Sequence, residues 1–149
     1  MAWQDAVDKR ADLVTGDRTA LPSSRVQLKL TQRLGNWLCV LAIGVGWGRR
    51  FRDMGSLRLV QREVLERMQL KDRGFGWNVE MQVRAVQLGL KIVELPVVYY
   101  PRHAGESKIS GSLLGTVGAG RGILRMLFQL YRLKRTDQRA TAIPGALPA

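Results

Sequence analysis

Between Tyr99 and Gly111 the sequence reads YYPRHAGESKISG, interleaving cations, glycines and hydroxyls directly after the apolar run IVELPVV. These residue types suit an anion. Arg102 can fork two N–H groups onto phosphate oxygens, Ser107 can donate a hydroxyl, and Lys108 adds a point charge. Gly105 can adopt positive φ and let backbone N–H groups approach the same oxygens. A basic surface turn is the plainer alternative, although strand, Arg, Gly, Ser, Lys, helix is a poor way to build one. His103 takes no role. Arg18, which closes ADLVTGDR, offers a further guanidinium at the end of an apolar segment. It can clamp a phosphate bidentately, which lysine cannot, or pair with Asp17 or another carboxylate. Two carboxylates could accept a proton, Asp53 in RDMGS and Glu80 in WNVEMQVRA. For Asp53 the simpler reading is a turn-forming residue before Gly55. For Glu80 it is an i,i+4 pair with Arg84, worth roughly a few tenths of a kcal/mol. An acid set among apolar stripes is costly unless it finds a partner.

Periodicity supplies the elements that must hold these residues. ADLVTGDR (Ala11–Arg18) reads as a buried strand running into the loop TALPSS. From Arg25 to Val45 the pattern is helical. Leu30, Leu34, Trp37, Leu38 and Leu41 form an apolar stripe, with Arg25, Lys29 and Arg33 on another face and glycines 44, 46 and 48 ending the helix. RFRDMGSLRLV is extended with a Gly-Ser turn, REVLERMQL a short helix and KDRGFG a loop. WNVEMQVRAVQLGL predicts a second long helix. Its stripes Trp77, Met81, Ala85, Leu88 and Val79, Val83, Val86, Leu90 lie on nearly opposite sides, so burial between two layers is expected. LKIVELPVVYY is a strand whose Pro96 places it at an edge or a strand end. Over Leu113–Leu133 a helix is expected to set Arg121, Arg125, Arg132 and Arg135 opposite Ile123, Met126, Leu127 and Leu130. Such a helix suits either an anionic membrane surface or packing against the half of the fold that is missing. Residues 1–135 read as one domain and 136–149 as a disordered tail. The alternation of strand and helix gives an α/β fold with few strands for its length, hence a piece of a sheet.

The totals limit the partners. Among 149 residues, 24 Lys+Arg against 12 Asp+Glu give a net charge of +12 and a pI near 11.0. That surplus points to a polyanion: nucleic acid, anionic lipid or phosphate. The single cysteine, Cys39, is expected to be a buried reduced thiol. One cysteine and one histidine argue against a zinc site. Met1–Asp17 carries no signal-peptide pattern, and the apolar run Trp37–Trp47 is shorter than the ~20 residues a bilayer span needs. A cytoplasmic chain is expected, peripheral on the inner face of the membrane.

Taken in order, ADLVTGDR, QRLGNWL, FRDMGSLRLV, FGWNVEMQVRA, LGLKIVELPVVYYPR and GESKISG resemble family 2 glycosyltransferases. The resemblance is strongest to the polyprenol-phosphate (dolichol-phosphate) sugar transferases and covers roughly Ala11–Phe128. It implies a partial GT-A fold and transfer of a sugar from a nucleotide-sugar donor to a polyprenol-phosphate or related acceptor, with a divalent metal, Mg or Mn. On that resemblance Asp53 and Glu80 fall at catalytic positions, matching an Asp-x-Gly motif and the acid that opens the active-site helix. An acceptor that is already an anion needs little base, so these carboxylates could instead orient it or complete the metal environment. Arg18, Arg33, Arg102, Ser107 and Lys108 fall at phosphate- or acceptor-binding positions, the last three as Arg-x-x-Gly-x-Ser-Lys. For Arg33 a solvated helix face is the alternative, and Asp17 stands where the family usually shows Ser before Arg18.

The family's metal-binding Asp-x-Asp is absent, since no two of Asp5, Asp8, Asp12, Asp17, Asp53, Asp72 and Asp137 are two apart. The chain thus resembles the acceptor-side part, offers no metal ligands of its own, and is expected to transfer no sugar alone. The rival expectations are a non-catalytic basic protein on anionic membrane or nucleic acid, and a partner subunit of a full-length transferase. No nucleic-acid module is recognisable, so none is expected as partner. The expected partners are a nucleotide sugar, a lipid phosphate, and an anionic membrane surface met through residues 113–133.

Overall fold

The first apolar run becomes the middle of a sheet. The computed structural model describes residues 11–100 and 113–141. Strand β1 (Leu13–Asp17) is buried at every position. It pairs antiparallel with β2 (Arg58–Val60) and parallel with β3 (Ile92–Pro96), in the order β2-β1-β3. Leu13 stands opposite Val60 on one side and Ile92 on the other, and Asp17 opposite Pro96. Pro96, which has no N–H to donate, lies on an edge strand as expected. Leu13 and Ile92 enter the main core, whereas Val14, Val93 and Leu95 gather with Ala11 in a separate cluster. Alternation of side chains along a strand produces that division.

Helices flank the sheet. They are α1 (Pro22–Arg25), α2 (Leu30–Trp47), α3 (Arg62–Met68), α4 (Trp77–Gln87) and α5 (Leu113–Thr141). This small mixed sheet with its helices matches the partial GT-A architecture expected from the sequence. Helix α4 is buried from Val79 to Val83 and again at Ala85, the two-layer burial its double stripe predicts. Helix α5 seats Met126, Leu127 and Leu130 in the core and turns Arg121, Arg125 and Arg132 outward. Both expectations gave the apolar face of that helix a partner outside this chain; instead it packs into the chain's own core. The helix runs past residue 135 to Thr141, because KRTDQRAT contains neither glycine nor proline to stop it. Among the described residues no helix is long and apolar enough to cross a membrane.

Helix α2 departs from the usual meaning of an apolar stripe. Its buried residues are Cys39, Ile43 and Gly46, not the leucines. Leu30, Leu34, Trp37, Leu38, Leu41 and Val45 are all exposed, Leu30 by 77% and Trp37 by 58%. Small residues decide which face packs. Tyr131 of α5 lies so close that a Cβ on Gly46 would come within 2.5 Å of its hydroxyl. That hydroxyl donates to the Ala42 carbonyl at 2.9 Å, the Tyr131 ring packs 4.7 Å from Trp47, and Lys134 Nζ donates to the Gly46 carbonyl. A cation and a phenol thereby satisfy carbonyls at the negative end of the helix. Gly48, at φ 76°, closes it in a left-handed turn.

Gly46→Ala is therefore expected to destabilise the chain by about 1–3 kcal/mol through overpacking. Gly35, with nothing within 4 Å of its Cβ position, serves as the contrast. Gly35→Ala should stabilise by about 0.5–1 kcal/mol. Urea denaturation of both variants checks the pair.

Candidate acceptor site

At the C-terminal end of β1 the chain turns sharply. Asp17, buried, accepts three hydrogen bonds on Oδ1: from the Thr19 N–H at 2.8 Å, the Thr19 hydroxyl at 2.7 Å and the Ala20 N–H at 3.1 Å. The aspartate standing where the family usually shows serine is thus a turn-former, and it leaves Arg18 to another carboxylate. That carboxylate is Asp53. Its Oδ2 accepts the Arg18 backbone N–H at 2.9 Å and Nε–H at 2.8 Å, and its Oδ1 accepts Nη2–H at 2.8 Å. These hydrogen bonds hold the guanidinium's pKa above its ordinary value, against the opposing pull of burial.

Around this pair the backbone is tightly fitted. Asp53 is 1% exposed, and its carbonyl accepts a hydrogen bond from Gln82 Nε2 of α4 at 3.1 Å. Gly55 must be glycine, since a Cβ there would run into the Gly16 carbonyl. Next along, Arg58 lies over the Trp77 ring and donates to the carbonyls of Gly55 at 3.2 Å and Asn78 at 3.1 Å. Burial lowers its pKa to about 10, partly countered by Asp53. Arg58 thus ties the Asp53 loop to the start of α4.

Glu80 is placed differently. It is 2% exposed, and its carboxylate accepts the backbone N–H groups of Lys71 at 3.1 and 3.0 Å and of Asp72 at 2.8 Å. The Arg84 pairing suggested by spacing is not made; Arg84 Nη1 donates to Gln87 instead. Glu80 fastens the loop that leads into α4.

Arg18 also lines a cavity of about 490 Å³. Its apolar wall comes from Leu34 and Leu38 of α2, Phe75, Val79 of α4, and Ala119, Gly120 and Ile123 of α5. Thr31, Gln32, Asn36 and Asn78 join Arg18 as its polar part. Asn36 Oδ1 accepts the Met54 N–H at 2.6 Å, linking α2 to the Asp53 loop. The ring of Tyr99 lies 5.8 Å from the Arg18 guanidinium. Ser24, fully buried, accepts the Tyr99 N–H at 2.9 Å and donates to the Val97 carbonyl at 3.2 Å. It fixes the chain where it leaves β3 towards the Arg102–Lys108 stretch. The cavity thus sets an apolar wall beside a cation at its polar corner.

Comparison with known proteins gives the family. A glycosyltransferase of Mycobacterium tuberculosis, itself uncharacterised, is 37% identical over 117 residues, covering 74% of this chain and 50% of its own length. The undecaprenyl-phosphate mannosyltransferase of Micrococcus luteus is 30% identical over 111 residues, with 72% and 46% covered. For the polyprenol monophosphomannose synthase of Mycolicibacterium smegmatis the figures are 33% over 117 residues, 72% and 42%. The chain belongs to the family 2 glycosyltransferases. It spans about half the length of the curated relatives it matches. No family model matches this glycosyltransferase chain, and no solved structure gives a significant match.

Of the site residues predicted for a family 2 glycosyltransferase, Arg18 and Asp53 are brought into contact. Glu80 lies on the helix that carries Gln82, with its own carboxylate bound to the preceding loop. Arg33 is exposed on α2 and does not line the cavity. Arg102, Ser107 and Lys108 lie outside the described residues. Sequence reasoning passed over Ser24, Asn36, Arg58 and Gln82. For Arg58 a signal existed in its place beside Gly55 on an edge strand; polar residues at the other three positions are unremarkable in sequence. The divalent ion implied by the resemblance finds no fit here. Among the described residues no three His, Cys, Asp or Glu side chains gather, and the oxygens of Asp53 and Glu80 are taken by hydrogen bonds.

Cys39 lines the cavity wall, and burial raises its thiol pKa from 9.0 to about 11. The folded chain therefore keeps its proton where the unfolded chain loses it, so this contribution to stability is complete below pH ~9 and is lost as pH rises towards ~11. Alkylation by iodoacetamide at about pH 8.5 should run about a hundredfold slower in the native chain than in urea. Labelling followed by mass spectrometry measures the ratio.

Proposed function

We propose that this chain provides the acceptor side of a sugar transferase working on a polyprenol-phosphate or related lipid phosphate, with a nucleotide-sugar donor. The observation carrying the proposal is Arg18, held by Asp53 at the polar corner of an apolar cavity. A fixed guanidinium suits the phosphate, and the apolar wall suits the adjoining hydrocarbon. Arg102, Ser107 and Lys108, just beyond Tyr99 in sequence, would add donors to the same phosphate. Two of the relatives are named for mannosyl transfer to such lipids, which makes mannose the first sugar to try. We propose Asp53 and Glu80 as residues that organise this site, with the divalent metal entering alongside the donor. The isolated chain is expected to bind acceptor and to transfer no sugar.

The same reading places the chain on an anionic bilayer. Helix α2 presents its outward leucines and Trp37, with exposed Arg33 near its N-terminal end and exposed Arg25 closing α1 just before it. On α5, exposed Val117, Leu124 and Phe128 stand beside Arg121 and Arg125. Apolar side chains bordered by cations match a surface of hydrocarbon beneath negative headgroups. Leu34 and Leu38 belong both to the outward stripe and to the cavity wall, so a lipid acceptor would pass from bilayer to cavity over a continuous apolar surface.

Two measurements test this. Calorimetric titration with farnesyl phosphate should give saturable binding that Arg18→Ala weakens roughly 10- to 100-fold. Equal affinity in the variant removes Arg18 from the site. Co-sedimentation should show binding to vesicles containing phosphatidylglycerol but not to pure phosphatidylcholine. Replacing both Trp37 and Leu41 with alanine should weaken it by about tenfold or more; undiminished binding would move the contact elsewhere.

A further inference from the structure

Asp53 sits where the family resemblance implies a catalytic carboxylate, yet its surroundings describe another task. Both of its oxygens face Arg18, and together they accept three N–H groups of that one residue. Asp53 is itself fixed through its carbonyl by Gln82 and through the next N–H by Asn36. Gly55 leaves no slack on that side: a Cβ there would stand 3.1 Å from Asp53 Oδ2 and 3.6 Å from Arg18 Nε. The Tyr99 ring lies against the guanidinium as well. With Nε and Nη2 engaged by the carboxylate, Nη1 has no hydrogen-bond partner among the described residues, and Arg18 lines the cavity. A flexible arginine would sample many directions; this one is held in a single plane.

We infer that Asp53 is a positioning residue: it fixes the direction in which Arg18 presents its remaining N–H groups to an anion in the cavity, and it takes no proton from the acceptor. This rests on Arg18 as the phosphate-binding residue. Chemically the two fit together, because a phosphate monoester acceptor already carries the negative oxygen that a base would otherwise have to generate. A buried carboxylate beside an anion site repels the ligand, and its presence is explained only if the orientation it imposes outweighs that repulsion.

The sign of the effect on binding separates the possibilities. In titrations of the full chain with farnesyl phosphate and with farnesol, Asp53→Asn is expected to weaken the phosphate about tenfold and leave farnesol unchanged. Added to Arg18→Ala, it should cost nothing more. Charge alone predicts the opposite, since removing a carboxylate should tighten binding of an anion. Unchanged or tighter phosphate binding by a folded Asp53→Asn chain overturns the inference, and so does an equal loss for phosphate and farnesol. Arg18→Lys gives an independent arm that leaves Asp53 intact and decides the matter if Asp53→Asn fails to fold. Lysine keeps the charge without the planar fork, and is expected to bind the phosphate as weakly as Arg18→Ala. Full affinity with lysine would mean that direction is immaterial and would sink the proposal. If Arg18→Ala binds farnesyl phosphate as well as the natural chain does, the underlying reading of Arg18 fails instead.

Discussion

A guanidinium and a carboxylate removed from water must satisfy each other, and much of this structure follows from doing so at the end of β1. Desolvating two charges costs several kcal/mol per ion unless geometry and further hydrogen bonds compensate. Here the compensation is complete on the Asp53 side, with three N–H groups on two oxygens. The pair joins residues 35 apart in sequence, so the turn after β1 and the loop before β2 must meet. Gly55 permits the approach, Gln82 and Asn36 hold the loop from two helices, and Asp17 folds the chain so that Arg18 points back. Loosening any of these contacts leaves a buried charge without its full complement of partners, which is why polar residues here are packed as closely as the core.

The outer surface obeys a second constraint. A helix has one face to bury, and close approach favours the face with the smallest side chains. On α2 that face carries Cys39, Ile43 and Gly46, where Tyr131 and Lys134 of α5 also cover carbonyls at the helix end. The leucines and Trp37 consequently face outward, next to the cavity that Arg18 overlooks. An apolar exterior bordered by cations, a chamber of similar character behind it and a fixed guanidinium at its corner thus adjoin one another.

Much of this was legible from residues alone. The apolar runs and glycines located all three strands, and the double stripe of α4 foretold its burial on both sides. Arg121, Arg125 and Arg132 of α5 are exposed while Met126, Leu127 and Leu130 are buried, as helical spacing requires. Ordered motifs led to the family, because six local patterns in sequence survive even where each is weak. Periodicity, however, reports only that a face is apolar. Whether that face meets protein depends on which neighbour can come closer, and in α2 the face of Cys39, Ile43 and Gly46 outweighed five large apolar residues.

The carboxylates show the same division. Sequence showed that Arg18 follows an apolar strand, and the resemblance alone suggested acidic family positions for Asp53 and Glu80. It could not determine their partners. Glu80 is bound by the backbone N–H groups of Lys71 and Asp72, donors that every residue but proline carries and that leave no mark in a sequence. Arg18 had several carboxylates to choose from, and only the antiparallel register of β1 with β2 brought Asp53 within 2.8 Å. Local pattern fixes the elements because periodicity is a short-range property; the pairing of charges depends on where those elements pack, which only the tertiary structure decides.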